Sequence, residues 1–208
     1  MRRRALLLSP LLLGACVSVE VGADGAPHVH LLLHDTAPVS QRRPEPVVAA
    51  LLIQPLPSDA MADTASIAYS RRANEFAFYQ FSTWTERPVR QIVRLLQRRL
   101  EASGIAGAVG VIGEPLHADW LLTVAIDTLH HDLTVPPGQG RLALTAELFD
   151  RRNRTRISRR RFEAAAPAAS ADAPAAAAAL SQSVAQVFDS LLPWLVAELL
   201  TVRAAAAG

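Results

Sequence analysis

The chain of 208 residues carries one cysteine, Cys16. A single thiol cannot close an intrachain disulfide, form a dithiol redox pair or supply a cysteine zinc site, so no covalent staple can hold the fold together. Stability has to come from burying apolar surface. A composition that is 50% hydrophobic and 19% charged supplies enough for one core, and the length suits one domain better than two.

The periodicity shows where that core comes from. Residues 28–34, 47–54, 65–69, 75–81, 109–112, 120–129, 141–149 and 157–162 have the length and apolar content of strands. Leu142, Leu144, Ala146 and Leu148 alternate with period two. Residues 71–74 and 150–155 read as hairpin turns, and consecutive strands on short turns predict antiparallel pairing. Val89, Ile92, Val93, Leu96 and Leu100 recur at helical spacing, with Thr85 as the expected cap, Pro88 in the first turn and Gly104 at the end. After an alanine-rich stretch, Leu180, Val184, Val187, Phe188, Leu191, Leu195 and Leu199 mark one face of a second helix, with a bend expected at Pro193. Gln182, Gln186, Asp189 and Glu198 interrupt it too often for a membrane span. The pattern predicts an α+β two-layer sandwich: a mixed, mainly antiparallel sheet with two long amphipathic helices on one face.

The cysteine has a different explanation. Arg2, Arg3 and Arg4 precede a short apolar stretch at 5–13, and Gly14-Ala15 supply small residues before Cys16, so residues 1–15 read as a lipoprotein signal peptide. The stretch is far below the roughly 20 residues that cross a bilayer. Leu13-Gly14-Ala15-Cys16 looks like a bacterial lipobox, in which the thiol is acylated and Cys16 becomes the first mature residue; the plainer alternative is a secretory leader with an accidental cysteine. Two or three acyl chains, at about 0.8 kcal/mol per buried methylene, anchor firmly. Residues 16–27 are then a lipidated tether, and 28–203 the folded domain. Removing three of the 21 Lys and Arg residues leaves 18 against 19 Asp and Glu, a formal charge of −1. Such a balance gives no argument for nucleic acid binding.

Chemistry finds little foothold. His28, His30 and His34 share parity, and His130, His131 and Asp132 end a later strand, but no metal-ligand spacing accompanies them. No G-x-S-x-G elbow, dinucleotide loop or Walker lysine is present, and Asp127 and Asp132 lack a recognisable catalytic partner. The chain reads as a non-enzyme that needs no cofactor. Seven arginines, Arg151, Arg152, Arg154, Arg156, Arg159, Arg160 and Arg161, fit either a solvated hairpin and strand face or an anionic lipid contact. Tyr69, Phe76, Phe78, Tyr79, Phe81 and Trp84 form an unusually dense aromatic group, divided by alternation between core and a surface for lipid or a partner.

Residues 67–104 contain Ile67-Ala68-Tyr69, the basic turn Arg71-Arg72, an aromatic strand at 75–79 and Trp84-Thr85-Glu86-Arg87-Pro88 opening a helix. This order resembles the ABC-type transport auxiliary lipoproteins, the paraquat-inducible protein C-like group, and the likeness continues through residues 118–133 and 141–164 into the alanine-rich helix. The resemblance implies a periplasmic, non-enzymatic component of a lipid transport system. Its partners would be an ATPase, a permease and a mammalian-cell-entry-domain protein, with phospholipid a further contact and a homo-oligomeric ring in some members. Val17, rather than aspartate, after Cys16 favours the periplasmic face of the outer membrane. Tyr69, Arg71, Phe76, Phe78, Tyr79 and Trp84 are the expected partner or lipid contacts. A structural envelope lipoprotein or assembly factor that carries no lipid is the alternative.

Overall fold

The computed structural model describes residues 27–37 and 42–207; the expected signal peptide, Cys16 and all but Pro27 of the expected tether lie outside the described residues. Its elements are β1 (Val29–Leu31), β2 (Val48–Pro55), β3 (Ser66–Arg72), β4 (Glu75–Trp84) and α1 (Pro88–Ser103). They continue as β5 (Ala106–Val111), β6 (Trp120–Asp132), β7 (Gln139–Asp150), β8 (Thr155–Pro167) and α2 (Ala173–Ala207).

The period-two leucines of β7 set the sheet's centre. Leu142, Leu144 and Leu148 are buried opposite Leu129, Ile126 and Leu122 of β6, and each such side chain contributes about 1.5–3 kcal/mol of burial. β6, β7 and β8 form the expected antiparallel meander. The other edge of β6 is shared by two strands. Its first half pairs in parallel with β2, which carries β5 beyond it, while His131 and Asp132 pair in parallel with Tyr69 and Ser70 of β3. β4 returns antiparallel to β3, and β1 lies parallel to the last three residues of β4.

The sheet is mixed as expected, but four of the seven pairings among the described residues are parallel. Short turns force antiparallel neighbours only where a hairpin exists. β2 and β5 are separated by fifty residues, including α1, and such a crossover brings them together side by side.

Pro88 decides where α1 begins. A residue before proline is pushed to extended backbone, and Arg87 has φ −56° and ψ 131°, so the cap position falls on Arg87 and not on the expected Thr85. Thr85 instead accepts a hydrogen bond from Gln91 Nε2 at 3.2 Å. Gly104 ends the helix at φ 68°, the left-handed conformation that glycine adopts cheaply.

α2 is long and apolar enough to cross a membrane, yet its apolar face is spent on the core: Leu180, Val184, Val187, Phe188, Leu191, Leu195 and Leu199 are all buried. The alanine-rich stretch divides, with the first alanines extending β8 as far as Pro167 and the later ones starting α2. Ala176, Ala177 and Ala179 let the helix lie close to β7, where the Ser183 hydroxyl donates to the Gly140 carbonyl at 2.6 Å. The helix continues through the exposed Pro193. Both helices join one hydrophobic cluster with strands from across the sheet.

A candidate contact surface on the edge hairpin

Arg71 to Asn74 turn the chain between β3 and β4, with Asn74 at φ 63°, a left-handed position that asparagine tolerates. The Arg72 and Glu75 side chains meet at 3.7 Å beside the turn, both largely exposed, so the pair adds little stability. β1 covers only Ser82, Thr83 and Trp84, which leaves residues 75–81 of β4 without an outer neighbour among the described residues. An open strand edge of this kind is a template for pairing.

The aromatics divide by an irregularity in β4. Ala68 pairs with Phe78 and Ser66 with Thr83, so five steps along β4 answer two along β3. The odd slip exchanges the faces. Before it, Phe76 and Phe78 point outward and Tyr79 inward; after it, Phe81 is outward while Ser82 and Trp84 are buried. Phe76, Phe78 and Phe81 are 49%, 41% and 55% exposed. Trp84, expected as a contact residue, is 3% exposed and belongs to the core. Val29 and Leu32, on and beside β1, add exposed apolar surface along the same edge.

The inward side holds a polar arrangement. Tyr69 and Tyr79 lie 4.9 Å apart by ring centroids, and Arg71 stands over the Tyr69 ring at 5.4 Å. Tyr79 Oη is 2.8 Å from His131 Nδ1, and His131 is fully buried. Burial pushes the Tyr79 hydroxyl up to about 12, helped by the negative charge of Asp172. Burial also holds His131 below the ordinary histidine value, against the opposing pull of the Pro137 carbonyl, Asp172 and Asp132. His130, on the other face, packs edge-on against Phe76 at 5.1 Å and is likewise lowered by burial. Sequence parity separates these two histidines, but only the pairing of β6 with β3 shows that His131 supports Tyr79.

The other candidates fall elsewhere. His28 and His30 both contact Thr83 Oγ1 at 3.1 Å, whereas His34 is turned toward α2, its backbone N–H donating to Ser181 Oγ. No group of three metal-ligating side chains gathers among the described residues. Asp127 accepts from Thr145 and pairs with Arg161, and Asp132 accepts from Thr134 and lies 3.5 Å from Arg141. The arginine run separates into two groups. Arg156 and Arg159 both reach Glu147 at 3.3 Å, Arg161 pairs with Asp127 and Glu163, and Arg160 covers the Phe162 ring. Arg151, Arg152 and Arg154 instead border a cavity at the β7–β8 turn.

Comparison with known proteins agrees with this architecture. The chain belongs to the ABC-type transport auxiliary lipoprotein component family, whose model matches residues 31–191. That description makes it an auxiliary lipoprotein associated with ABC-type transport, and thus with the cell envelope. A crystal structure of a Xanthomonas campestris protein from the DUF330 family is similar at TM-score 0.71 and 24% identity, covering 80% of this chain and 95% of that one. An uncharacterized protein of known structure aligns at TM-score 0.60 and 15% identity, covering 80% and 99%. These two likenesses concern the fold. No curated protein matches the sequence.

Proposed function

We propose that the chain is an outer-membrane-anchored, periplasmic auxiliary lipoprotein of a mammalian-cell-entry-type ABC lipid transport system. It docks the transport complex and supports lipid trafficking and envelope integrity, with no catalytic step and no cofactor. The observation that carries the docking role is the edge of β4, where Phe76, Phe78 and Phe81 stand exposed beside backbone that has no outer neighbour among the described residues. Such an edge can accept a partner strand through main-chain hydrogen bonds while aromatic side chains fill pockets. Family membership supplies the transport setting, and the lipobox-like Leu13-Gly14-Ala15-Cys16 supplies the anchor. Both helices are read as one layer over one sheet face, supported by their shared core and by Arg99 of α1, which pairs with Asp189 of α2. That leaves the hairpin edge uncovered for contact.

Photo-crosslinkers at Arg71 and Asn74 in intact cells test the docking role. Adducts with the mammalian-cell-entry-domain protein or permease are expected. A clean absence of adducts, or adducts confined to envelope proteins unrelated to transport, would overturn it, the second outcome favouring a structural lipoprotein.

A further inference from the structure

At the opposite end of β6 from the hairpin, two cavities meet at one side chain. The first, about 560 Å³, is bordered by His117, Arg151, Arg152 and Arg154 around the β7–β8 turn. The second, about 290 Å³, has Val47, Val48, Trp120, Leu199 and Val202 along it, with Arg152 and Arg203 at its rim. Arg152 belongs to both, its guanidinium standing 6.0 Å over the Trp120 ring. The groove is therefore cationic at one end and apolar at the other.

The positive charge in the groove is only partly cancelled locally. Asp150 is committed to its own turn, accepting from the backbone N–H groups of Arg152 and Asn153 and from Asn153 Nδ2. Arg152 Nε lies 3.6 Å from Asp150 and 4.0 Å from Asp119. The exposed Arg154 and Arg203 make no ion pair among the described residues. Arg151 donates to the Ala118 carbonyl at 2.6 Å, which fixes the turn against the start of β6. Four arginines against two aspartates, one of them occupied, favour an anion, and a guanidinium's planar fork suits a phosphate oxygen pair.

We infer that this groove binds one acidic phospholipid, its headgroup phosphate held by Arg152 and Arg154 and the start of an acyl chain lying along Trp120, Leu199 and Val202. The two halves match the two parts of such a molecule: charge without an apolar wall would suit free phosphate, and the wall without charge would suit any hydrocarbon. This deepens the transport reading, on which it rests for its biological setting. The site is separate from the β4 edge, so the two can fail independently.

The test uses the mature chain in mild detergent, with short-chain phosphatidylglycerol, short-chain phosphatidylcholine and inorganic phosphate as probes, followed by tryptophan fluorescence and calorimetry. Phosphatidylglycerol is expected to bind about tenfold more tightly than either of the others, and more weakly as salt rises. Arg152→Gln and Arg154→Gln, both at exposed side chains, are each expected to lower that affinity about tenfold, the equivalent of one charge-assisted contact. Val202→Asp should reduce phosphatidylglycerol binding and spare phosphate. Equal affinity for the two lipids, or for phosphate and phosphatidylglycerol, overturns the inference, as does full binding by a correctly folded Arg152→Gln chain. Crosslinking from Arg71 in the same variants reads the docking role separately: retained adducts with lost lipid binding isolate the groove, whereas lost adducts with intact lipid binding overturn docking alone.

Discussion

At the scale of single residues, Tyr79 and His131 show how one hydrogen bond can hold the edge hairpin to the sheet. His131 is completely enclosed, so removing its hydroxyl partner leaves a buried ring nitrogen unsatisfied, at a cost of about 1–3 kcal/mol. Tyr79→Phe is therefore expected to lower the unfolding free energy by that amount, read as a lower urea midpoint, with Phe81→Tyr, at an exposed position, as a near-neutral control. The same group gives a pH dependence with a definite sign. Both His130 and His131 are held below 6.5 in the folded state by burial, so near that pH the unfolded chain binds more protons. Stability should be constant from neutral pH upward until tyrosine titrates, and should fall as pH drops through about 6.5. On the alkaline side Tyr79, raised from 10.0 to about 12, contributes stability below pH 10 that is lost as pH rises toward 12. Urea midpoints at pH 7.5 and 5.5 check the acid limb: wild type should weaken between them, and His131→Phe should weaken less. Gly138 belongs to the same corner, since at φ +95° a Cβ there would meet Asp132 O and His131 Nε2 at 2.6 Å. Gly138→Ala is expected to destabilise by about 2 kcal/mol or more, read in the same titration.

At the scale of elements, the closest approach is between α2 and β7. A Cβ at Gly140 would lie 2.5 Å from the Leu180 nitrogen and 2.6 Å from the Ala179 carbonyl carbon, so the glycine sets the distance between helix and strand. Gly140→Val should push α2 away and expose the leucines behind it, losing about 3 kcal/mol or more. A large fall in melting temperature is expected, whereas Gly113→Ala, with open space around its Cβ, should lose only the cost of its positive φ. The α1–α2 link is polar: the buried Arg99 reaches Asp35 at 2.7 Å and also pairs with the more exposed Asp189. Arg99 was not legible in the sequence, where the neighbouring Arg98 and Glu101 give no sign that one arginine of the helix is buried. The strands and both helices were legible because their apolar periods are clear, and the meander followed from its turns. Parallel pairing of β2 with β5 and β6 was not, since a crossover leaves no local signature. Nor was the division of the aromatics, because the slip in β4 makes Phe76 and Trp84, equal in parity, face opposite ways.

At the scale of the whole molecule, β6 is the axis that separates the two proposed surfaces. Its 13 residues span about 40 Å at 3.3 Å each, with Trp120 beneath the arginine groove and His131 behind the edge hairpin. β1 runs beside the end of β4, so the chain arriving from Cys16 reaches the fold on the hairpin side. Eleven steps separate Cys16 from Pro27, and even a fully extended chain of that length covers no more than about 40 Å. An acylated Cys16 would therefore keep the hairpin near the bilayer and raise its effective concentration toward any partner embedded there. Cys16→Ser, with residues 1–15 replaced by an ordinary cleavable secretory leader, makes this separable from folding. The altered chain should leave the membrane fraction for the soluble periplasmic fraction while its purified domain keeps the wild-type urea midpoint, because Cys16 precedes every described element of the fold. Crosslinking yield from Arg71 should fall with it, since the open β4 edge is unchanged and only its confinement is lost. A yield equal to wild type from the soluble chain would mean that the hairpin finds its partner by affinity alone, and that the anchor contributes nothing to docking.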